Sequence, residues 1–176
     1  TNNFATLNPL NRNSTITFAE GNLYMASTAA QGAGAGVTFA TSSGKWYYET
    51  LYLFGVNTYI HVGVIDSDAT VGQLNTTDGA VHGTIYRGDG KIYTNTGSGW
   101  SVVQTVTAAS TGDIIGVAYN LEAQTCTYYL NGSQLGSSVD ISSMNSEVMA
   151  YPLFGYYVAR MILNFGQDSS FAGNKT

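Results

Sequence analysis

Two histidines, His61 and His82, and eleven acidic residues are the groups in this chain that could move a proton or hold a metal. A catalytic base needs a nucleophile and an orienting group within reach. Neither histidine has a nucleophile-elbow motif to serve, so both read as ordinary strand or surface residues and no enzyme is expected. Glu49 alternates with Tyr48 and Thr50, and no second carboxylate accompanies it at a credible position for glycosidase chemistry. Asp66-Ser67-Asp68 with Asp78 has the opening spacing of a calcium loop but lacks the further oxygen ligands and the terminal Glu. It reads as a solvated acidic loop, with no metal and no cofactor. The single cysteine, Cys126, excludes an internal disulfide and a cysteine-based zinc site. Alternation puts Cys126, Tyr128 and Leu130 on one strand face, where a small buried hydrophobe is expected.

What remains is chemistry of recognition. Trp46, Tyr47, Tyr48 and Tyr52 lie in one strand, so their side chains must divide between two faces. One set is core, and the other could serve as a platform for a sugar ring. Tyr156, Tyr157 and Arg160 flank a bend near the C-terminus, and aromatics beside an arginine are favoured at binding surfaces. Arg87-Gly88-Asp89 reads as a structural hairpin in which Gly88 and Gly90 supply permissive backbone angles.

The elements that must carry these residues are strands. No stretch sustains helical periodicity, and alternation of β-branched and aromatic residues dominates. Strands are expected over 15–18, 23–27, 36–40, 45–53, 59–65, 83–87, 91–94 and 100–105, then over 114–120, 125–130, 134–135, 153–157 and 160–165. The Ala- and Gly-rich run over 29–36 reads as a loop, and 142–148 as one short helical turn. Asn131-Gly132 between two strands is the strongest hairpin signal, because a type I′ turn needs positive φ at both central residues. The long irregular stretches are 66–82 and 136–150, and long loops in compact domains are often functional.

Composition narrows the partners. The 176 residues suit one domain, and 44% hydrophobic content allows a filled core. Only 10% of residues are charged, so Thr, Ser and Asn do the solvating. A net charge of −5 with six Lys and Arg argues against nucleic acid and against a polybasic membrane patch. No apolar run approaches the roughly 18 residues of a membrane span, so no membrane insertion is expected.

Several phrases fall in a fixed order: Gly44-Lys45-Trp46-Tyr47-Tyr48-Glu49, Ile60-His61-Val62-Gly63-Val64, and the run from Tyr86 to Tyr93. They continue with Gly112-Asp113-Ile114-Ile115-Gly116-Val117-Ala118, Tyr128-Tyr129-Leu130-Asn131-Gly132, Tyr151-Pro152-Leu153-Phe154 and Asn164-Phe165-Gly166. From about Gly44 to Gln167 the sequence resembles the SPRY domain, a concanavalin-like jelly-roll. The resemblance implies an all-β fold of two antiparallel sheets packed as a sandwich, one domain over residues 1–176. Asn120 stands where the family usually has Asp, which removes a charge that a cation would need. Partner binding in SPRY domains falls on loops at one edge, which for this chain points to Tyr59, Asp66, Asp68, Tyr156, Tyr157 and Arg160. The segments 2–10 and 164–173 also resemble SPRY proteins of phage and marine viruses, tail-fibre and other virion components. From that resemblance the expected function is a non-catalytic module on a virion surface, tail fibre or capsid, recognising a host-surface glycan or protein. The alternatives are a capsid decoration or assembly protein contacting other virion subunits, with homo-oligomers in view, and an intracellular peptide-binding adaptor. The chain is expected to be a fragment or the ordered part of something longer.

Overall fold

The computed structural model describes residues 3–28, 32–69, 81–144, 147–155 and 158–171. Fifteen strands run in chain order through these residues: β1 (Leu7–Arg12), β2 (Ile16–Ala19), β3 (Tyr24–Ser27), β4 (Ala33–Val37) and β5 (Ala40–Thr41). They continue with β6 (Lys45–Phe54), β7 (Ile60–Asp66), β8 (His82–Arg87), β9 (Lys91–Thr96) and β10 (Trp100–Thr105). The last five are β11 (Ile114–Asn120), β12 (Thr125–Leu130), β13 (Ser133–Asp140), β14 (Val148–Phe154) and β15 (Ala159–Asn164). One sheet has the order β1-β4-β14-β7-β8-β9-β10, with β5 also on β14; the other is β13-β12-β11-β6-β15-β3-β2. Every strand pairing is antiparallel. This is the two-sheet sandwich the sequence implies.

The sheets are joined by an aromatic and aliphatic core. Val62 and Val64 of β7, Tyr86 of β8 and Phe154 of β14 face Tyr48 and Tyr52 of β6, Val117 of β11 and Tyr128 of β12, all buried. Tyrosine hydroxyls buried here need acceptors, since an unpaired one costs about 1–3 kcal/mol. For Tyr48 and Tyr128 the opposite sheet supplies them. Tyr48 Oη donates to the Gly63 carbonyl at 2.6 Å, and Tyr128 Oη to Thr84 Oγ1 at 3.1 Å. Cys126 lies in the same layer, fully covered, on the face that alternation assigns to it. A smaller cluster of Leu51, Ile114 and Phe171 closes the outer face of the β6 sheet.

Among the departures from the sequence expectations, two concern segments read as irregular. Ala33–Val37, inside the run expected to be a loop up to residue 36, is a fully buried strand between β1 and β14. Small side chains are what this position requires. A Cβ on Gly36 would stand 2.7 Å from Asn11 Nδ2 and 3.5 Å from Met149 Sδ, so neighbours already fill that space. The stretch expected to be irregular over 136–150 is instead the rest of β13 and the start of β14. Between them Met144 N–H closes a single turn onto the Ile141 carbonyl, and Val148 already belongs to β14. The hairpin at Asn131-Gly132 is as expected, with φ of +49° and +80°.

Candidate recognition surface

β6 ends at Phe54, and the chain turns through Gly55 and a 3-10 turn over Asn57–Tyr59 into β7. At the same end of the sandwich β14 stops at Phe154 and β15 starts at Ala159. The crossing is tight: a Cβ on Gly55 would lie 3.0 Å from that of Ala159. Phe54 is 53% exposed, Val56 52% and Val158 45%. Arg160 stands opposite Phe54 in the ladder, its guanidinium carbon 5.6 Å from the ring centroid. Three large apolar side chains are thus left in solvent where two reversals meet, with Arg160 against the Phe54 ring, and apolar exposure of this kind marks contact sites.

The patch continues around the edge of the sandwich. Tyr59 N–H donates to the Val56 carbonyl, and Gly155 N–H donates to the Tyr59 carbonyl at 2.8 Å, tying the 3-10 turn to the end of β14. A Cβ on Gly155 would come within 2.8 Å of the His61 ring and 3.5 Å of the Tyr59 ring, so both side chains meet over this glycine. His61 leads onto the outer face of the β7 sheet. There it lines a groove of about 260 Å³ with Ile85, Arg87, Tyr93 and Trp100.

Arg87 is held on both sides. Its Nε and Nη2 donate to the two carboxylate oxygens of Asp89 at 2.8 and 2.6 Å, and its guanidinium lies 4.8 Å from the Tyr93 ring centroid. Hydrogen bonding from Arg87 keeps the Asp89 carboxyl below its ordinary range, and the same bonds raise Arg87. The Arg-Gly-Asp triplet is therefore a hairpin locked by its own ion pair. The two glycines act differently. Gly90 takes a φ of +85°, whereas Gly88 is needed because a Cβ there would stand 2.5 Å from the Asn57 carbonyl oxygen.

Of the six residues expected at a site, Tyr59 and Arg160 belong to this end. Tyr156 and Tyr157 lie outside the described residues. Asp66 ends β7 at the opposite end of the sandwich, buried, with Oδ2 3.6 Å from His82 Nδ1. His82 Nδ1 also contacts the Ser143 carbonyl, so this group fastens β7, β8 and the turn before β14. Asp68 is exposed beside it. Asp78 lies outside the described residues. Among the described residues no three His, Cys, Asp or Glu side chains come together as a metal site would require, and no helix is long and apolar enough to cross a membrane.

Sequence reasoning did not single out Phe54, Val56 or Val158. Each is one apolar residue among many, and only the meeting of two chain reversals makes them a patch. The strand aromatics divide as alternation requires. Tyr48 and Tyr52 are core, while Tyr47 points outward, 6.3 Å from Tyr129 in an edge-to-face pair and donating to Glu49 Oε1 at 2.8 Å.

Comparison with known proteins agrees with this architecture. The family profile described as SPRY domain matches residues 45–168. The Ran-binding proteins 9/10 homolog of Drosophila melanogaster is 30% identical over 132 residues, covering 73% of this chain and 13% of that protein, so the chain spans a small part of its length. The crystal structure of the SPRY domain of human HERC1 superposes with a TM-score of 0.74 at 16% identity, covering 92% of this chain and 99% of the other. The TRIM65 PSpry domain gives 0.67 at 10% identity, covering 92% of each chain. Stonustoxin gives 0.62 at 18% identity, covering 92% of this chain and 27% of the other. Domains of this kind are generally non-catalytic modules of protein interaction. With the profile matched over most of its length and the sandwich in the same arrangement, the chain belongs to the SPRY domain family.

Proposed function

We propose that this domain is a non-catalytic recognition module that holds a segment of a partner protein against the Phe54–Arg160 end of the sandwich. The observation that carries this reading is the joint exposure of Phe54, Val56 and Val158 beside Arg160. Burying such side chains yields about 25 cal/mol per Å² of apolar surface, and an arginine at the centre adds directed hydrogen bonds. The patch offers little to the hydroxyls of a sugar, so a protein segment suits it better than a glycan. The groove of His61, Arg87, Tyr93 and Trp100 would receive the rest of the segment.

Selection of a random peptide library on the immobilised domain tests this. Enriched peptides are expected to lose at least about tenfold in affinity for Phe54→Ser and for Arg160→Ala, consistent with truncation of a central contact. Peptides that bind both variants as well as the parent would sink the site.

Two settings fit this module. Display on a virus particle, tail fibre or capsid, draws support from the resemblance of segments 2–10 and 164–173 to viral SPRY proteins; the partner is then a host-surface protein or a neighbouring virion subunit. An intracellular adaptor draws support from the likeness to the Drosophila Ran-binding proteins 9/10 homolog. Antibody against the domain, used for immunogold labelling of purified particles and of producing cells, separates them. Label on the particle surface supports the first, and label confined to the cell interior the second.

A further inference from the structure

A second cavity opens at the other end of β6, about 330 Å³ in volume. Phe4, Phe39, Trp46 and Tyr47 form its rim, each 40–51% exposed. Tyr48, Tyr119 and Phe165 line it more deeply. The rings are fixed by their neighbours. Phe39 meets Trp46 edge-on at 5.6 Å, and Tyr48 stacks on Phe165 at 5.6 Å. Phe4 rests against the turn after β15, with Cε1 3.5 Å from where a Gly166 Cβ would stand. Its segment is fastened to the end of β4 by the pair Thr6 N–H to Thr38 Oγ1 and Thr38 N–H to the Thr6 carbonyl.

What this lining cannot do is as informative as what it can. The polar atom of each of the four Trp and Tyr rings already has one partner. Trp46 Nε1 donates to the Ser43 carbonyl at 2.7 Å, Tyr47 Oη to Glu49 Oε1 at 2.8 Å, and Tyr48 Oη to the Gly63 carbonyl. Tyr119 Oη accepts from Thr41 Oγ1 at 3.4 Å. A sugar or a peptide backbone entering here would surrender its hydrogen bonds to water and find few in return, from Asn3 and the Tyr119 and Tyr47 hydroxyls, at a cost of about 1–3 kcal/mol for each group left unpaired. An anion would meet no cation in the lining, and the chain as a whole carries −5. Lys45, next to Trp46 in β6, is not among the residues that line the cavity.

The ligand that fits has no hydrogen-bonding demand, an apolar surface and a positive charge. We propose that this cavity binds a quaternary ammonium group, such as a choline-type or trimethylated amine head, by cation–π attraction to the rings of Phe39, Trp46 and Phe4. Aromatic faces carry negative potential, and attraction to a desolvated cation is worth up to roughly a factor of 30 in affinity at one ring.

Choline and its uncharged carbon isostere 3,3-dimethylbutan-1-ol share one shape and differ by the charge, so the pair tests the idea. Each is titrated into the domain at constant ionic strength, and binding is read from chemical-shift changes of the Phe39 and Trp46 ring protons. Choline is expected to saturate with an affinity about tenfold tighter than the isostere. Phe39→Leu, which keeps an apolar rim and should not disturb folding, is expected to weaken choline about tenfold and to leave the isostere nearly unchanged. Equal affinities for the two probes would make the cavity merely apolar and overturn the assignment. So would the lack of saturable shifts with choline, or unchanged choline binding in Phe39→Leu. Phe54→Ser, at the far end, should leave choline binding intact, which separates this site from the proposed protein-binding one.

Discussion

Gly63 and Cys126 show how single side chains are constrained by the packing of the two sheets. Gly63 sits mid-strand in β7, and a Cβ there would overlap the Thr84 carbonyl and stand 2.7 Å from Ile85 Cα. Those atoms are backbone and cannot swing aside, so Gly63→Ala must push β7 and β8 apart. A loss of at least about 3 kcal/mol is expected in urea unfolding, in line with the larger overpacking costs. Cys126 has another constraint. Burial pushes its thiol from the ordinary 9.0 up to about 12, so the folded state keeps a proton that the unfolded chain releases first. The unfolded state then binds fewer protons between those values, and stability falls as pH rises through the window. The full contribution is present below pH 9 and declines by about 1 kcal/mol per pH unit above it. Buried Tyr48 and Tyr128, also raised by desolvation, join only above their ordinary 10.0. Thermal melts between pH 8 and 10 should therefore show a steeper loss in the parent than in Cys126→Ala, and matching slopes would contradict this.

At the scale of elements, the open edges of the sandwich are managed by side chains. β10 and β13 are edge strands of different sheets, and Gln104 joins them. Its Nε2 donates to the Ser137 carbonyl and its Oε1 accepts the Ser137 N–H, both at 2.8 Å, so one carboxamide imitates a strand partner. Gln104→Ala is expected to cost about 1 kcal/mol and to speed hydrogen exchange at the Ser137 amide, while Gln104→Glu, which can still accept from that amide but sets a carboxylate oxygen against the Ser137 carbonyl, should keep the protection and lose stability. Unchanged exchange at Ser137 in Gln104→Ala would refute the clasp. Strands such as β10, β11 and β12 were legible to the residue, because alternation and turn chemistry are local. β4 was not: its glycines lower strand propensity locally, and only the neighbours Asn11 and Met149 reveal why small residues are needed. β1 also escaped notice, since Leu7–Arg12 is mostly polar and carries Pro9, tolerable because this strand lies at the sheet edge. For the site, Tyr59 and Arg160 could be picked out by residue type and position near bends. Asp66 could not be told from a ligand-binding acid, because its burial against His82 depends on strands distant in sequence.

The whole molecule places its two uncommitted surfaces far apart. β6 runs ten residues from the rim of the aromatic cavity to Phe54, about 30 Å at the rise of an extended chain. Partner contact at the Phe54 end must also work without much charge. Only 10% of the chain is charged, Arg87 and Lys91 share Asp89, and Arg160 is covered on one side by the Phe54 ring. A surface of this kind gains from burial of apolar area, which salt does not screen, and little from long-range steering. The affinity of a peptide selected on this surface is accordingly expected to change by less than about threefold as sodium chloride rises from about 0.05 to 0.5 M. Association should be slow to moderate, about 10⁵–10⁶ M⁻¹s⁻¹, with the effects of Phe54→Ser falling on dissociation. Surface plasmon resonance over that salt range reads both quantities. A steep decline of affinity with salt, carried by the association rate, would mean that acidic residues of the partner meet Arg160 and Lys91 directly, and that the apolar patch is a rim and not the centre of the contact.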